Sequence, residues 1–251
     1  MILYILIGIL LPFVGTAIGS GAVFALKRER MGRARLLLSG FAAGVMLAAS
    51  VWSLILPAVE FASSWQRFSF VPVLMGLWCG ILFLLYADGK LKEKLSFDPN
   101  HVNNSTAMMA FAVVLHNIPE GMAVGVALAG ASELSELLPG LLLSFGIAVQ
   151  NVPEGAIISM PLCSENKSQK YSFIMGVLSG AVEPIAAAVS LLAVKLALPM
   201  MSYMLSFAAG AMIYVCINEL IPIASQTDNK RGLIFFAIGF SIMMGLDIAL
   251  G

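Results

Sequence analysis

Apolar residues fill this chain in long blocks rather than in a two-residue alternation or a narrow helical stripe. From Met1 a nearly unbroken apolar run reaches Leu26, where Lys27, Arg28, Arg30, Arg33 and Arg35 interrupt it. A helix rises about 1.5 Å per residue, so crossing a hydrocarbon core of roughly 30 Å takes about 20 apolar residues. By that measure the pattern predicts eight membrane-spanning helices, near 2–26, 36–59, 70–87, 106–130, 138–162, 172–196, 199–223 and 232–250, in a single transmembrane domain over 1–251. A cleaved leader places its basic residues before its apolar core, and here the order is reversed, so the first run is expected to remain as a span.

Composition narrows the class. Of 251 residues, 60% are apolar and 11% charged, against roughly 45 to 50% and about 25% in soluble domains. The expected fold class is therefore an all-α integral membrane protein. Fourteen basic and fourteen acidic residues balance, which leaves no nucleic-acid footprint and no acidic tail. Cys79, Cys163 and Cys216 stand far apart without CxxC spacing, so neither a disulfide framework nor a thiolate zinc site is expected. Charge placement is more telling than charge number. With eight spans, the five basic residues after the first run, Lys90, Lys92, Lys94, Lys167, Lys170, Lys230 and Arg231 share one side, and only Arg67 and Lys195 fall on the other. The positive-inside rule makes the first side cytoplasmic and leaves both termini outside.

The chain also repeats itself. His116-Asn117-Ile118-Pro119-Glu120-Gly121 in the fourth span is echoed by Gln150-Asn151-Val152-Pro153-Glu154-Gly155 in the fifth. Phe41-Ala42-Ala43-Gly44-Val45-Met46 in the second is echoed by Phe207-Ala208-Ala209-Gly210-Ala211-Met212 in the seventh. Partners in each pair cross the bilayer in opposite directions, the pattern of an inverted repeat, here 3+2+3 helices with spans four and five in the centre. Glycine and alanine runs also let helices approach closely in lipid, so the second pair by itself leaves both explanations open. The proline–glutamate pair does not, because lipid does not tolerate those groups.

Ionisable side chains deep in a bilayer cost a few kcal/mol each and normally face the bundle interior on an ion path. Glu120, Glu154 and Glu183 all lie well inside their spans. His116, Asn117 and Glu120 are spaced three and four residues apart, hence on one helix face, and Gln150, Asn151 and Glu154 repeat that spacing. Pro119 and Pro153 are expected to kink their helices and free the carbonyls of Leu115 and Val149. Imidazole, carboxylate and amide donors together suit zinc, iron(II), manganese, cobalt or cadmium. A single buried glutamate such as Glu183 can equally be satisfied by neighbours, whereas the duplicated constellation favours an ion site.

At these residues the chain resembles a ZIP-family divalent metal transporter of the bacterial type. The resemblance spans nearly the whole chain and rests on the two motifs, their order, the eight spans and the outside termini. It implies a binuclear centre formed by His116, Asn117, Glu120, Gln150, Asn151, Glu154 and Glu183. It also implies Met46 as an axial ligand, Ser53 as an outer gate residue, Glu60 and Asp247 near the outer entrance, and Asn218 and Glu219 at the cytoplasmic exit. Asn151 stands where aspartate is common, which removes a charge from the second metal position. Asn218 stands where histidine is common, which leaves Glu219 as the exit ligand. The 88–105 loop holds one histidine, His101, against a His-rich tract in many relatives.

The expectation is zinc uptake toward the cytoplasm through a midplane site, with cadmium, iron, manganese and cobalt as other substrates and no organic cofactor. The partners are the lipid of the inner or plasma membrane and the dication, with room for a homodimer and none for nucleic acid. Two readings compete. An intramembrane metallohydrolase would need His-Glu-x-x-His or a three-histidine site, and the chain has two histidines. A proton- or alkali-cation-conducting protein explains the glutamates but not the imidazole and carboxamide beside them.

Overall fold

A computed structural model describes residues 1–25, 28–95, 104–129, 133–164, 167–194, 198–226 and 230–250. Every regular element among them is helical. In chain order they are α1 (Ile2–Ser20), α2 (Ala22–Ala25), α3 (Arg28–Ala49), α4 (Leu56–Phe61), α5 (Phe70–Leu95), α6 (Asn104–Ala127) and α7 (Leu134–Ser164). Then follow α8 (Gln169–Gly180), α9 (Val182–Leu192), α10 (Met201–Val215), α11 (Ile221–Ala224) and α12 (Arg231–Leu250). Among the described residues seven helical stretches are long and apolar enough to cross a membrane: Ile2–Ala25, Ala34–Phe61, Phe70–Lys90, Leu134–Met160, Gln169–Leu192, Met201–Ala224 and Arg231–Ala249.

Several helices overrun their apolar limits. The α5 helix continues to Leu95 through Lys90, Lys92 and Lys94, because its backbone ladder needs helical dihedrals and not apolar surroundings. Pro119 and Pro153 stand inside α6 and α7, and each of these remains one helix through its proline. The 172–196 stretch instead divides at Ala181, whose N–H turns back three residues to the Leu178 carbonyl. Pro184 lies just beyond and offers no N–H to the Gly180 carbonyl. Two π-helical turns widen the backbone elsewhere. Ser50–Ile55 joins α3 to α4 and Cys216–Leu220 joins α10 to α11. Leu56 N–H reaches five residues back to Val51, and Ile221 N–H likewise to Cys216. A proline follows one residue later in each case, Pro57 and Pro222.

The bundle encloses a polar cluster within a mostly apolar core, and its surface is apolar. Thr16, Ser20, Asn117, Glu120, Gln150, Asn151, Glu154 and Glu183 are buried, while Trp78, Leu178, Ile185 and Leu192 stand out from the surface. Lipid imposes this arrangement, because it offers no partner to a polar group. The main helix pairings are α1 with α7, α3 with α12, α5 with α10, and α6 with α9. Both motif glycines sit at such crossings. A Cβ on Gly121 would stand 2.3 Å from the Glu183 carbonyl oxygen, and one on Gly155 would stand 2.1 Å from that of Thr16. The repeated Phe-Ala-Ala-Gly segments share one apolar cluster, with Ala42, Ala43, Ala208 and Ala209 in its centre.

Candidate metal centre

The first support comes from a proline. Pro12 inside α1 cannot bond the Gly8 carbonyl four residues back, and Ser144 Oγ of α7 donates to that carbonyl instead. The crossing of α1 and α7 is thereby tied at one level. One turn deeper, Asn151 Nδ2 donates to the Pro12 carbonyl at 3.4 Å and to Glu183 Oε2 at 2.9 Å. Thr16 Oγ1 lies 3.3 Å from Glu183 Oε1. On the other side of the cluster Asn117 Nδ2 donates to the Ser179 carbonyl at 3.3 Å, and Gln150 Nε2 donates to Glu120 Oε1.

These contacts commit the amide nitrogens and leave the amide oxygens. Asn117 Oδ1, Gln150 Oε1 and Asn151 Oδ1 are buried with no hydrogen-bond donor among the described residues. An acceptor left so costs about 1 to 3 kcal/mol. Three together, beside buried carboxylates, make a buried region of negative potential. Glu154 is also close enough to Glu183 for their charges to interact. An electropositive guest relieves all of these costs together, and a dication does so with the fewest ligands.

The remaining motif residues fall into separate places. The His116 side chain and the His101 loop residue lie outside the described residues. Among the described residues no three His, Cys, Asp or Glu side chains are grouped closely enough to hold a metal, so the cluster depends on its carboxamides. Met46 is 2% exposed and packs in the apolar cluster with Met212 and Ile157, outside the hydrogen-bonded network. Ser53, Glu60 and Asp247 line one cavity of about 580 Å³. Ser53 Oγ donates to Asp247 Oδ1 at 2.7 Å, which ties the first π turn to α12. The cavity reaches Ala123 and Gly146, within one helical turn of Glu120 and Gln150. Asn218 and Glu219 lie in the second π turn, joined by a 2.9 Å bond from Nδ2 to Oε1.

Residues beside the cluster also lie outside both motifs. Thr16 and Ser20, four apart on a glycine-rich apolar helix, are polar positions on one face, and that spacing was the available signal. The carbonyls of Pro12 and Ser179 carry no signal in the residue names.

Residues 89–247 match the family model described as ZIP Zinc transporter. The chain is 34% identical to zinc transporter ZIP11 of Xenopus tropicalis over 333 aligned positions, covering 100% of this chain and 98% of the relative. It is 32% identical to zinc transporter GufA of Myxococcus xanthus over 250 positions, covering 94% and 96%. With zinc transporter ZupT of Chlorobium phaeovibrioides it shares 32% over 260 positions, covering 96% and 95%.

Proposed function

The chain belongs to the ZIP family of zinc transporters, and on that premise we propose that it carries zinc through the bilayer toward the cytoplasm by a midplane site. The observation that carries this reading is the set of buried amide oxygens of Asn117, Gln150 and Asn151 beside Glu120, Glu154 and Glu183. Such donors desolvate and neutralise a dication while keeping each ligand weak enough to release it. His116 would add the nitrogen that favours zinc over calcium. Cadmium, iron, manganese and cobalt share the donor preference, and their competition with zinc ranks them.

The ion path runs from the cavity holding Ser53, Glu60 and Asp247, through the cluster, to Asn218 and Glu219. Eight spans are the arrangement we assign, with α6 as the eighth: its 24 residues would rise about 36 Å. Internal symmetry supports the 3+2+3 scheme. Asn117 of α6 donates to Ser179 and Asn151 of α7 donates to Pro12, so equivalent asparagines bind carbonyls on spans six and one. Both Phe-Ala-Ala-Gly helices end in a π turn followed by proline. Pairings one with five and two with eight are matched by six with four and seven with three. Inverted-repeat carriers release substrate when one group of helices rocks against the other.

The relatives are named as transporters, which sets the metallohydrolase reading aside. Radiometal uptake into proteoliposomes tests the proposal. Wild-type protein accumulates zinc against excess sodium and potassium, while His116→Ala and Glu120→Ala lower the flux by tenfold or more, about 1.4 kcal/mol per tenfold. Unchanged flux in both variants would overturn the site.

A further inference from the structure

The cluster has a wall that neither motif contains, and it comes from α1. Thr16 is fully buried, with Oγ1 3.3 Å from Glu183 Oε1 and 3.5 Å from the Pro12 carbonyl. Two glycines make its position available. Gly155 on α7 meets the Thr16 backbone so closely that no Cβ fits, and a Cβ on Gly180 would stand 2.8 Å from the Thr16 side chain. With both neighbours bare, the threonine hydroxyl reaches the first turn of α9, where Glu183 stands.

Glu183 is then held at both oxygens. Thr16 approaches Oε1 and Asn151 donates to Oε2 at 2.9 Å. Asn151 is itself aligned by the Pro12 carbonyl. Neutral donors on both oxygens fix the plane and rotamer of a carboxylate without cancelling its charge. A carboxylate so fixed offers its remaining lone pairs in a set direction, and Glu154 is close enough for its charge to act on it.

We infer that Thr16 is a positioning residue of the transport site, holding the Glu183 carboxylate in the orientation in which it receives a dication, so that the first span takes part in ion binding. The inference rests on the proposed transport function. Its geometry distinguishes it from a packing role: a methyl-for-hydroxyl replacement leaves the volume of residue 16 nearly unchanged and removes the hydroxyl's contacts to Glu183 Oε1 and, within its own helix, to the Pro12 carbonyl.

The test compares Thr16→Val and Thr16→Ser with wild type in zinc uptake by proteoliposomes, with KM and Vmax determined separately and thermal unfolding recorded for each protein. Thr16→Val is expected to raise KM for zinc about tenfold to a hundredfold, as the loss of one hydrogen bond to a charged group implies. Thr16→Ser, which keeps the hydroxyl, restores KM to within about twofold of wild type. A structural role would lower Vmax and thermal stability with KM unchanged, and that result overturns the inference. So does failure of serine to restore KM. Should Thr16→Val not fold, Thr16→Ala occupies less space than threonine and carries the same comparison. Absence of zinc uptake by wild-type protein strikes the transport reading, whereas wild-type uptake with an unmoved KM in Thr16→Val strikes only the role of Thr16.

Discussion

Why asparagine stands at 117 and 151 is answered by what each side chain donates. Each Nδ2 bonds a main-chain carbonyl on another helix, a task aspartate cannot perform when ionised because it has only acceptors. Asn151→Asp would turn an acceptor toward Pro12 and set a carboxylate beside Glu183. In chelator-treated protein this variant is expected to lose about 1 to 3 kcal/mol of stability, seen as a lower unfolding temperature in detergent. Added zinc or cadmium should then raise that temperature more in Asn151→Asp than in wild type. An equal response in both proteins would show that position 151 does not face the ion. The constellation itself was legible in the sequence, since spacings of three and four place donors on one face. Its allocation of atoms was not, because a residue name does not say which amide atom a neighbouring carbonyl has already engaged.

Among the elements, the apolar stretches could be read from hydropathy while their breaks could not. Hydropathy counts side chains, and the division at Ala181 and the two π turns are changes in backbone hydrogen-bond register. Both Phe-Ala-Ala-Gly segments precede a π turn, yet nothing in those words announces the turns. π turns recur at functional sites, and here they hold Ser53 in one case and Asn218 with Glu219 in the other. Deleting Val51 would return the first turn to α register, which keeps the flanking helices nearly in phase but turns the residues inside it, Ser53 among them, relative to Pro57. Ser53 and Asp247 would then lose their 2.7 Å contact, and zinc flux is expected to fall severalfold in protein that still elutes as a single species. The motif glycines make a second element-level case. Gly121→Ala must push α6 from α9, because its Cβ would overlap the Glu183 carbonyl. Overpacking of this kind costs about 1 to 3 kcal/mol, so a lower unfolding temperature and reduced uptake should appear together. Normal stability in Gly121→Ala would mean that the two helices do not meet at this glycine.

At the scale of the whole molecule, orientation decides which end is the entrance. In the proposed eight-span arrangement the basic residues collect beyond one set of helix ends and the cavity with Ser53, Glu60 and Asp247 lies toward the other, and the positive-inside rule then predicts an outward-facing cavity. Gln66, between α4 and α5, and Lys170, at the start of α8, are both exposed and lie at opposite ends of this scheme. Between them run Phe70–Lys90, Leu134–Met160 and α6. If α6 crosses the bilayer there are three crossings and the two residues face opposite sides, and if it does not there are two and they face the same side. In a protein whose three cysteines are replaced, Gln66→Cys should react with a membrane-impermeant maleimide in intact cells. Lys170→Cys should react only after permeabilisation. The reverse pattern would invert the molecule and make the acidic cavity an exit. Labelling of both from one side would remove α6 from the set of spans, and with it the central pair on which Asn117, Glu120, Gln150 and Glu154 converge.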